Sequence, residues 1–400
     1  MSIRQYLVNL KQSLAQKAVG LPLHVVTGNQ SADMDSVISS IAYAYLTNRL
    51  TNPPNAVIPI INIAKVDFKL RRDIVKLLSY HNITEDLLFF IEDYDNFVAA
   101  SGTTPVKLNL VDHNGLQGFE INKSYDEGLV DVVGIIDHHA DEGKFLGANP
   151  RIIRSCGSNS SLVFGYFNEL AKNEAAFWDK NSDLVELLIG PLLVDTSNMT
   201  QKVEEPDTFA YESYKKTLQD TIKTSEVAAD LDSFYKTLKT AKKDLSGFEF
   251  GDILRKDYKQ FKFAGGDNVG FSSIGKSLAW VSSHFTKESL KTTLSNFLKL
   301  SHIELLVITS SYTQKENDKY TREFCYYYEG SNKDRYANLD KLVANDLELN
   351  DDLYGGDKID PVVAFVNQDS SAHLKIYNQQ NIKASRKQVV PVVKDVLESA

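Results

Sequence analysis

Val130-Asp131-Val132-Val133-Gly134-Ile135-Ile136-Asp137-His138-His139 reads as a buried strand that stops on three groups able to bind a metal or move a proton. Its first seven positions are mostly apolar and β-branched, which suits a strand covered on both faces. Upstream lie similar runs at Leu23–Gly28, Val57–Ile63, Leu87–Ile91 and Val106–Val111. Helical periodicity separates them. In Ser36–Leu50, Ile38, Ile41, Ala42 and Tyr45 share one face, and Phe68–Tyr80 reads as a second helix. Strands alternating with helices predict an α/β domain with a mainly parallel, doubly wound sheet.

Beyond position 200 the pattern changes. Tyr211–Leu245 is charged, reads as one or two surface helices, and is expected to carry the domain connection. From Phe250 the signals are mixed. Helices are predicted near Asp252–Lys259, Thr286–Leu300 and the C-terminus, and strands at Val269–Ser273, Ile303–Ser310, Thr321–Tyr328 and Pro361–Phe365. A chain of 400 residues exceeds one ordinary core, so a smaller α+β second domain is the economical reading.

Composition narrows the function. Apolar residues make up 42% and charged residues 24%, as in an ordinary globular protein. No apolar run approaches the roughly 20 residues of a membrane helix. The first residues, MSIRQYLVNLKQSLAQKA, read as an amphipathic helix rather than a signal peptide. The two cysteines, Cys156 and Cys325, form no C-x-x-C pair. A cytoplasmic protein without membrane or nucleic-acid partners is expected, since a net charge of −9 disfavours general nucleic-acid binding.

Three further acidic sites follow apolar runs in the manner of Asp137. They are Asp33 and Asp35 in Gly28-Asn29-Gln30-Ser31-Ala32-Asp33-Met34-Asp35-Ser36, Asp112 in Val111-Asp112-His113-Asn114, and Asp195 in Leu193-Val194-Asp195-Thr196-Ser197. Each alone could be a helix cap or turn residue. Together with His138 they form a carboxylate and imidazole set suited to divalent ions such as Mn²⁺, Mg²⁺ and Co²⁺. Two such ions about 3.5–4 Å apart can activate a water as nucleophile.

The order G-N-x-x-A-D-x-D-S, V-D-H-N, D-H-H and D-T-S resembles the DHH phosphoesterase superfamily, which includes family II pyrophosphatases, prune-like proteins and fungal cytosolic exopolyphosphatases. Asp257-Tyr258-Lys259-Gln260-Phe261 and Ser385-Arg386-Lys387-Gln388-Val389-Val390-Pro391 resemble signatures of the DHHA2 second domain. The fungal exopolyphosphatases resemble the chain most. The resemblance implies a DHH metal-binding catalytic domain at 1–220, a DHHA2 phosphate-binding domain at 221–400, and an active site in the interdomain cleft. It implies metal ligands Asp33 (first ion), Asp35 and His138 (second ion), and Asp112 and Asp195 (shared). His139 would contact phosphate and Asp137 would support the histidines, with His113 in a further supporting role. Lys259, Arg386 and Lys387 would clamp phosphate. Asp112, His138, His139 and Asp195 are thus the expected catalytic set, and Asn29, His139, Lys259, Arg386 and Lys387 the expected substrate contacts.

Asn29 departs from the pyrophosphatases, which place a metal-binding histidine there. The implied activity is release of orthophosphate from the ends of inorganic polyphosphate by a monomer using two divalent ions. A manganese-dependent pyrophosphatase and a prune-like interaction protein with weak phosphohydrolase activity are the alternatives.

Overall fold

Five parallel strands, His24–Thr27 (β1), Val57–Ile60 (β2), Val106–Val111 (β3), Val130–Asp137 (β4) and Arg151–Ile153 (β5), form the first sheet in the order β2-β1-β3-β4-β5. The computed structural model describes residues 1–16, 20–51, 56–221, 230–330 and 336–399. Thr27 pairs with Ile60 and Leu110, Val111 with Ile136, and Asp137 with Ile153. The carboxyl ends of the strands therefore lie along one edge, where a parallel sheet presents its binding groups.

The helices of this unit are Ile3–Ala15 (α1), Met34–Leu50 (α2), Arg72–Ser79 (α3), Ile91–Ser101 (α4), Phe119–Asp126 (α5), Asn159–Ala171 (α6), Ser182–Asp195 (α7), Glu205–Thr221 (α8) and Leu231–Lys243 (α9). Val25, Val26, Ile58, Leu108, Leu110, Ile135 and Ile136 are all buried in one core with residues of α2, α6 and α7. Among the described residues no helix is long and apolar enough to cross a membrane.

The chain divides between Asp244 and Leu245, not at the expected 220/221. The cause is α9, whose Phe234, Tyr235 and Leu238 belong to the first core, with Asp244 just beyond it paired to Arg72. Residues 222–229, beside the expected boundary, lie outside the described residues.

In the second unit, Tyr258–Lys262 (β6), Asn268–Ile274 (β7), Leu305–Thr313 (β8), Tyr320–Glu329 (β9), Leu349–Asn350 (β10) and Ala372–Gln379 (β11) form a mixed sheet in the order β10-β11-β9-β8-β7-β6. Only β7 and β8 run parallel. Its helices are Phe250–Lys256 (α10), Leu278–His284 (α11), Lys287–Leu300 (α12), Leu339–Leu347 (α13), Gly356–Val366 (α14) and Arg386–Ser399 (α15). Alternation along the strands splits the core in two. Leu306, Ile308, Cys325 and Tyr327 pack with α10, α11, α12 and α14. Leu305, Val307, Tyr326 and Tyr328 pack with α13 and α15 on the opposite face.

Three sequence expectations change. Leu87–Ile91 is no strand: only Phe90 bridges Ile61, and Asp93 accepts from Phe90 N at 2.8 Å to open α4. The apolar run before Asp195 is helix α7, with Leu184–Leu193 buried on every side, so its periodicity carries no amphipathic signal. Pro361–Phe365 lies inside α14, where Ile359, Val362 and Val366 are buried at helical spacing.

One position in β4 tolerates no side chain. The register shifts so that Leu108 pairs with Val132 and Asn109 with Gly134. A Cβ on Gly134 would run into Asn109 Oδ1, which accepts from the Tyr43 hydroxyl at 3.0 Å while its amide nitrogen meets His24. Gly134→Ala is expected to cost about 1–3 kcal/mol by overpacking, read from the urea midpoint. An unchanged midpoint would mean that Asn109 swings aside freely.

Candidate metal centre

The loop after β1 is shaped by Gly28. A Cβ there would lie 2.6 Å from Ser36 Cβ and 2.8 Å from Ser36 O, so glycine lets the start of α2 close onto the strand end. Asp33 caps this helix and accepts from Ser36 N at 3.0 Å. The Ser36 hydroxyl is left to donate to Asp112 Oδ2 at 2.6 Å, and the Asn29 side-chain amide donates to the same oxygen at 2.7 Å. Asp112 follows β3 with φ +62°, a left-handed conformation that Asp adopts more easily than most residues.

Asp137, the last residue of β4, is fully buried. Its Oδ1 accepts from His138 N at 2.8 Å, from His139 N at 3.2 Å and from His139 Nδ1 at 2.7 Å. Its Oδ2 accepts from Asn114, whose amide also donates to Ala140 O at 2.9 Å. One carboxylate thus sets the turn that carries both imidazoles. His138 Nδ1 donates to the Cys156 carbonyl at 3.1 Å, which leaves Nε2 at 3.2 Å from Asp112 Oδ1. The two rings meet edge to face at 4.6 Å. One ligand atom from each of Asp112, His138 and His139 lies within 4.8 Å of the others.

The electrostatics are those of crowded carboxylates. Burial pushes the Asp112 carboxyl up, but the hydrogen bond and charge of His138, the charge of His139 and the Ser36 hydroxyl outweigh it and hold it low. Burial pulls His138 down, yet Asp112, the Cys156 side chain and the charge of Asp35 raise it to about 12. Asp35 accepts from Ser158 Oγ at 2.8 Å, Asn159 N at 2.6 Å and Ser160 N at 2.9 Å at the start of α6. Even so, burial and then the charges of Asp112, Asp195 and Asp33 raise its carboxyl well above the usual range. Asp195 ends α7. Burial raises it, Lys242 and His138 lower it, and Asp33 and Asp112 help to push it up to about 7.

Such mutual repulsion is relieved by a divalent cation. The oxygen and imidazole donors are of the type that such ions take. The residues fit a divalent metal, with Asp112, His138 and His139 the group brought closest together. Asp33, Asp35 and Asp195 lie within electrostatic reach. Asn29 is buried, with its amide engaged by Asp112 and its Oδ1 accepting from Ser31 N at 2.9 Å. His113 is buried beneath, its Nδ1 donating to Val111 O at 2.9 Å.

The expected phosphate contacts are found within the second unit. Lys259 lies in β6 opposite Phe271 of β7. Arg386 opens α15, and its guanidinium donates to Asp257 O at 2.8 Å and Asp257 Oδ1 at 2.7 Å. Lys387 is exposed. Asp257 thereby ties together the two sequence signatures of this unit.

Sequence reading missed the residues that hold the site from behind. Cys156, Ser158, Asn159 and Ser160 all bond to expected metal ligands, and Asp207 braces their turn. Their signal was the run Ser158-Asn159-Ser160-Ser161 before an apolar helix, which reads as a helix start.

Partners behind metal-binding histidines commonly contribute 10–100-fold in metal affinity. Asp137→Asn removes the negative charge behind His138 and His139 and turns an NH₂ toward donors on one side of the group; it is expected to weaken Mn²⁺ binding by about that factor, measured by calorimetric titration. Wild-type affinity in this variant would remove Asp137 from the site.

Comparison with known proteins also gives two domains, the second match beginning within α9. Residues 24–189 match the DHH family, N-terminal domain, and residues 236–396 match the DHHA2 domain. A Schizosaccharomyces pombe protein provisionally named exopolyphosphatase is 31% identical over 98% of this chain and 95% of its own. Rattus norvegicus "Exopolyphosphatase PRUNE1" is 25% identical over 99% of this chain and 80% of its own. The crystal structure of a provisionally named family II inorganic pyrophosphatase from Methanococcus jannaschii shares the fold. Its TM-score is 0.56, with 19% identity over 94% of this chain and all of that one. The chain belongs to the DHH phosphoesterase family, a hydrolase with an N-terminal DHH domain and a C-terminal DHHA2 domain.

Proposed function

We propose that this protein is an exopolyphosphatase that hydrolyses the terminal phosphate of inorganic polyphosphate and releases orthophosphate. The observation that carries this reading is the convergence of Asp112, His138 and His139 at the carboxyl edge of a parallel sheet. The full-length similarity to the Schizosaccharomyces pombe protein supports it. Two divalent ions, Mn²⁺, Mg²⁺ or Co²⁺, are the proposed cofactors, held by Asp33, Asp35, Asp112, His138 and Asp195. Bound there, they supply an acidified water and positive charge beside the phosphoryl group.

The chain's own residues do the rest. Asp112 presents Oδ1 toward His138 while Asn29 and Ser36 fix its Oδ2. His138 is oriented by the Cys156 carbonyl, so its Nε2 is the atom offered for coordination. His139 is fixed at Nδ1 by Asp137 and is the more exposed of the pair. It is proposed to contact the phosphate, with Asp137 holding the ring in place. Lys259, Arg386 and Lys387 are proposed to hold the phosphate chain. Arg386 suits this because a planar guanidinium grips phosphate through two parallel bonds. The leaving group is a shortened phosphate chain, already a weak base, so no strong general acid is required.

Pyrophosphate cleavage is the second reading, and Asn29 speaks against it. Where the pyrophosphatases have a histidine, this chain spends its amide on Asp112. Phosphate release from pyrophosphate, tripolyphosphate and long chains separates the two. A time course with long polyphosphate in Mg²⁺, Mn²⁺ and Co²⁺ is expected to give steady orthophosphate. Fragments of intermediate length would indicate internal cleavage and overturn the proposal.

Two variants test the residues. Asp112→Ala is expected to abolish turnover with every divalent ion; substantial residual turnover would defeat the two-metal assignment. Arg386→Ala is expected to raise KM or lower kcat for polyphosphate in a folded protein. An unchanged kcat/KM would take Arg386 out of phosphate binding.

A further inference from the structure

We propose that Asp207 is a positioning residue for the metal centre, acting through the turn of residues 155–161. This rests on the reading above that His138 and Asp35 bind divalent ions. Asp207 lies in the first turn of α8 and is fully buried. Its Oδ2 accepts from Gly157 N at 2.6 Å and from Glu204 N at 2.9 Å. Its Oδ1 accepts from Ser158 N at 3.2 Å and from the Ser161 hydroxyl at 2.8 Å. Of these four bonds, only the one to Glu204 caps α8. The other three grip the turn.

That turn reaches two expected metal ligands at once. The Cys156 carbonyl accepts from His138 Nδ1, while Ser158 Oγ, Asn159 N and Ser160 N donate to Asp35. The turn is also wedged in place. A Cβ on Gly157 would lie 2.6 Å from Thr196 Cγ2, 2.8 Å from Lys202 O and 3.1 Å from Asp207 Oδ2. Thr196 directly follows Asp195, so the same packing bears on a third expected ligand. Four donors need both oxygens of a carboxylate. Asparagine keeps one acceptor and turns an NH₂ toward donors, leaving buried N–H groups unsatisfied.

The test is calorimetric titration of Mn²⁺ into the full-length protein stripped of metal by chelation. Asp207→Asn is expected to bind Mn²⁺ about 10–100-fold more weakly. Its kcat for tripolyphosphate should fall with KM unchanged. Ser161→Ala, which deletes one of the four bonds, should shift both in the same direction by less. If Asp207→Asn melts at a lower temperature but keeps wild-type Mn²⁺ affinity and kcat, the residue is only a helix cap and the proposal is overturned. If Asp207→Asn does not fold, Ser161→Ala decides, and unchanged Mn²⁺ affinity there overturns it. A wild-type protein that binds none of Mn²⁺, Mg²⁺ and Co²⁺ defeats the metal reading itself, and this inference with it.

Discussion

The arrangement at the first sheet depends on how one buried carboxylate, Asp112, is kept ionised. An isolated charge out of water costs several kcal/mol, so its partners decide where it can sit. Asn29 reaches it from the loop after β1, Ser36 from the first turn of α2 that follows, and His138 from the loop after β4. Each comes from a strand beside β3 in the sheet. The parallel register is therefore a condition for the site: the strand ends must be level before one oxygen pair can serve groups that follow both neighbouring strands.

Around this carboxylate the duties of similar residues diverge. His138 and His139 are adjacent in sequence, yet one is steered by a backbone carbonyl and the other by Asp137. Asp33 and Asp35 are two residues apart, yet one caps α2 while the other receives the start of α6. Motif position tells which residue types are present. Hydrogen-bond partners tell which atom of each is already engaged.

Much of this was legible in the sequence, for physical reasons. β3 and β4 are short runs rich in apolar residues, the first followed by Asp112 and the second ended by Asp137. Asp112, His138 and His139 were found because polar groups at the ends of buried strands are hard to explain otherwise. The failures are equally physical. Periodicity cannot separate a strand from a helix that is buried all round, which is why the apolar run before Asp195 was grouped with the strand ends although it is α7. Leu87–Ile91 looked extended until the Asp93 side chain capped it into a helix start. Asp207 stayed hidden because it sits about fifty positions from the turn it grips, in a charged stretch that resembles any solvated surface.

The bond between Arg386 and Asp257 has a consequence for binding. A long cationic side chain ordinarily forfeits rotamer freedom when it grips a ligand, at about 0.5–1.5 kcal/mol per side chain. Asp257 restrains this guanidinium during folding, through both its carbonyl and its carboxylate. On the role proposed for Arg386, an incoming anion would meet a donor whose entropy has already been lost. The same carboxylate would set a threshold: a weakly charged anion would compete poorly with Asp257, while a densely charged one would share the guanidinium with it. Discrimination by charge density would then rest on an acidic residue of the second unit rather than on a basic one.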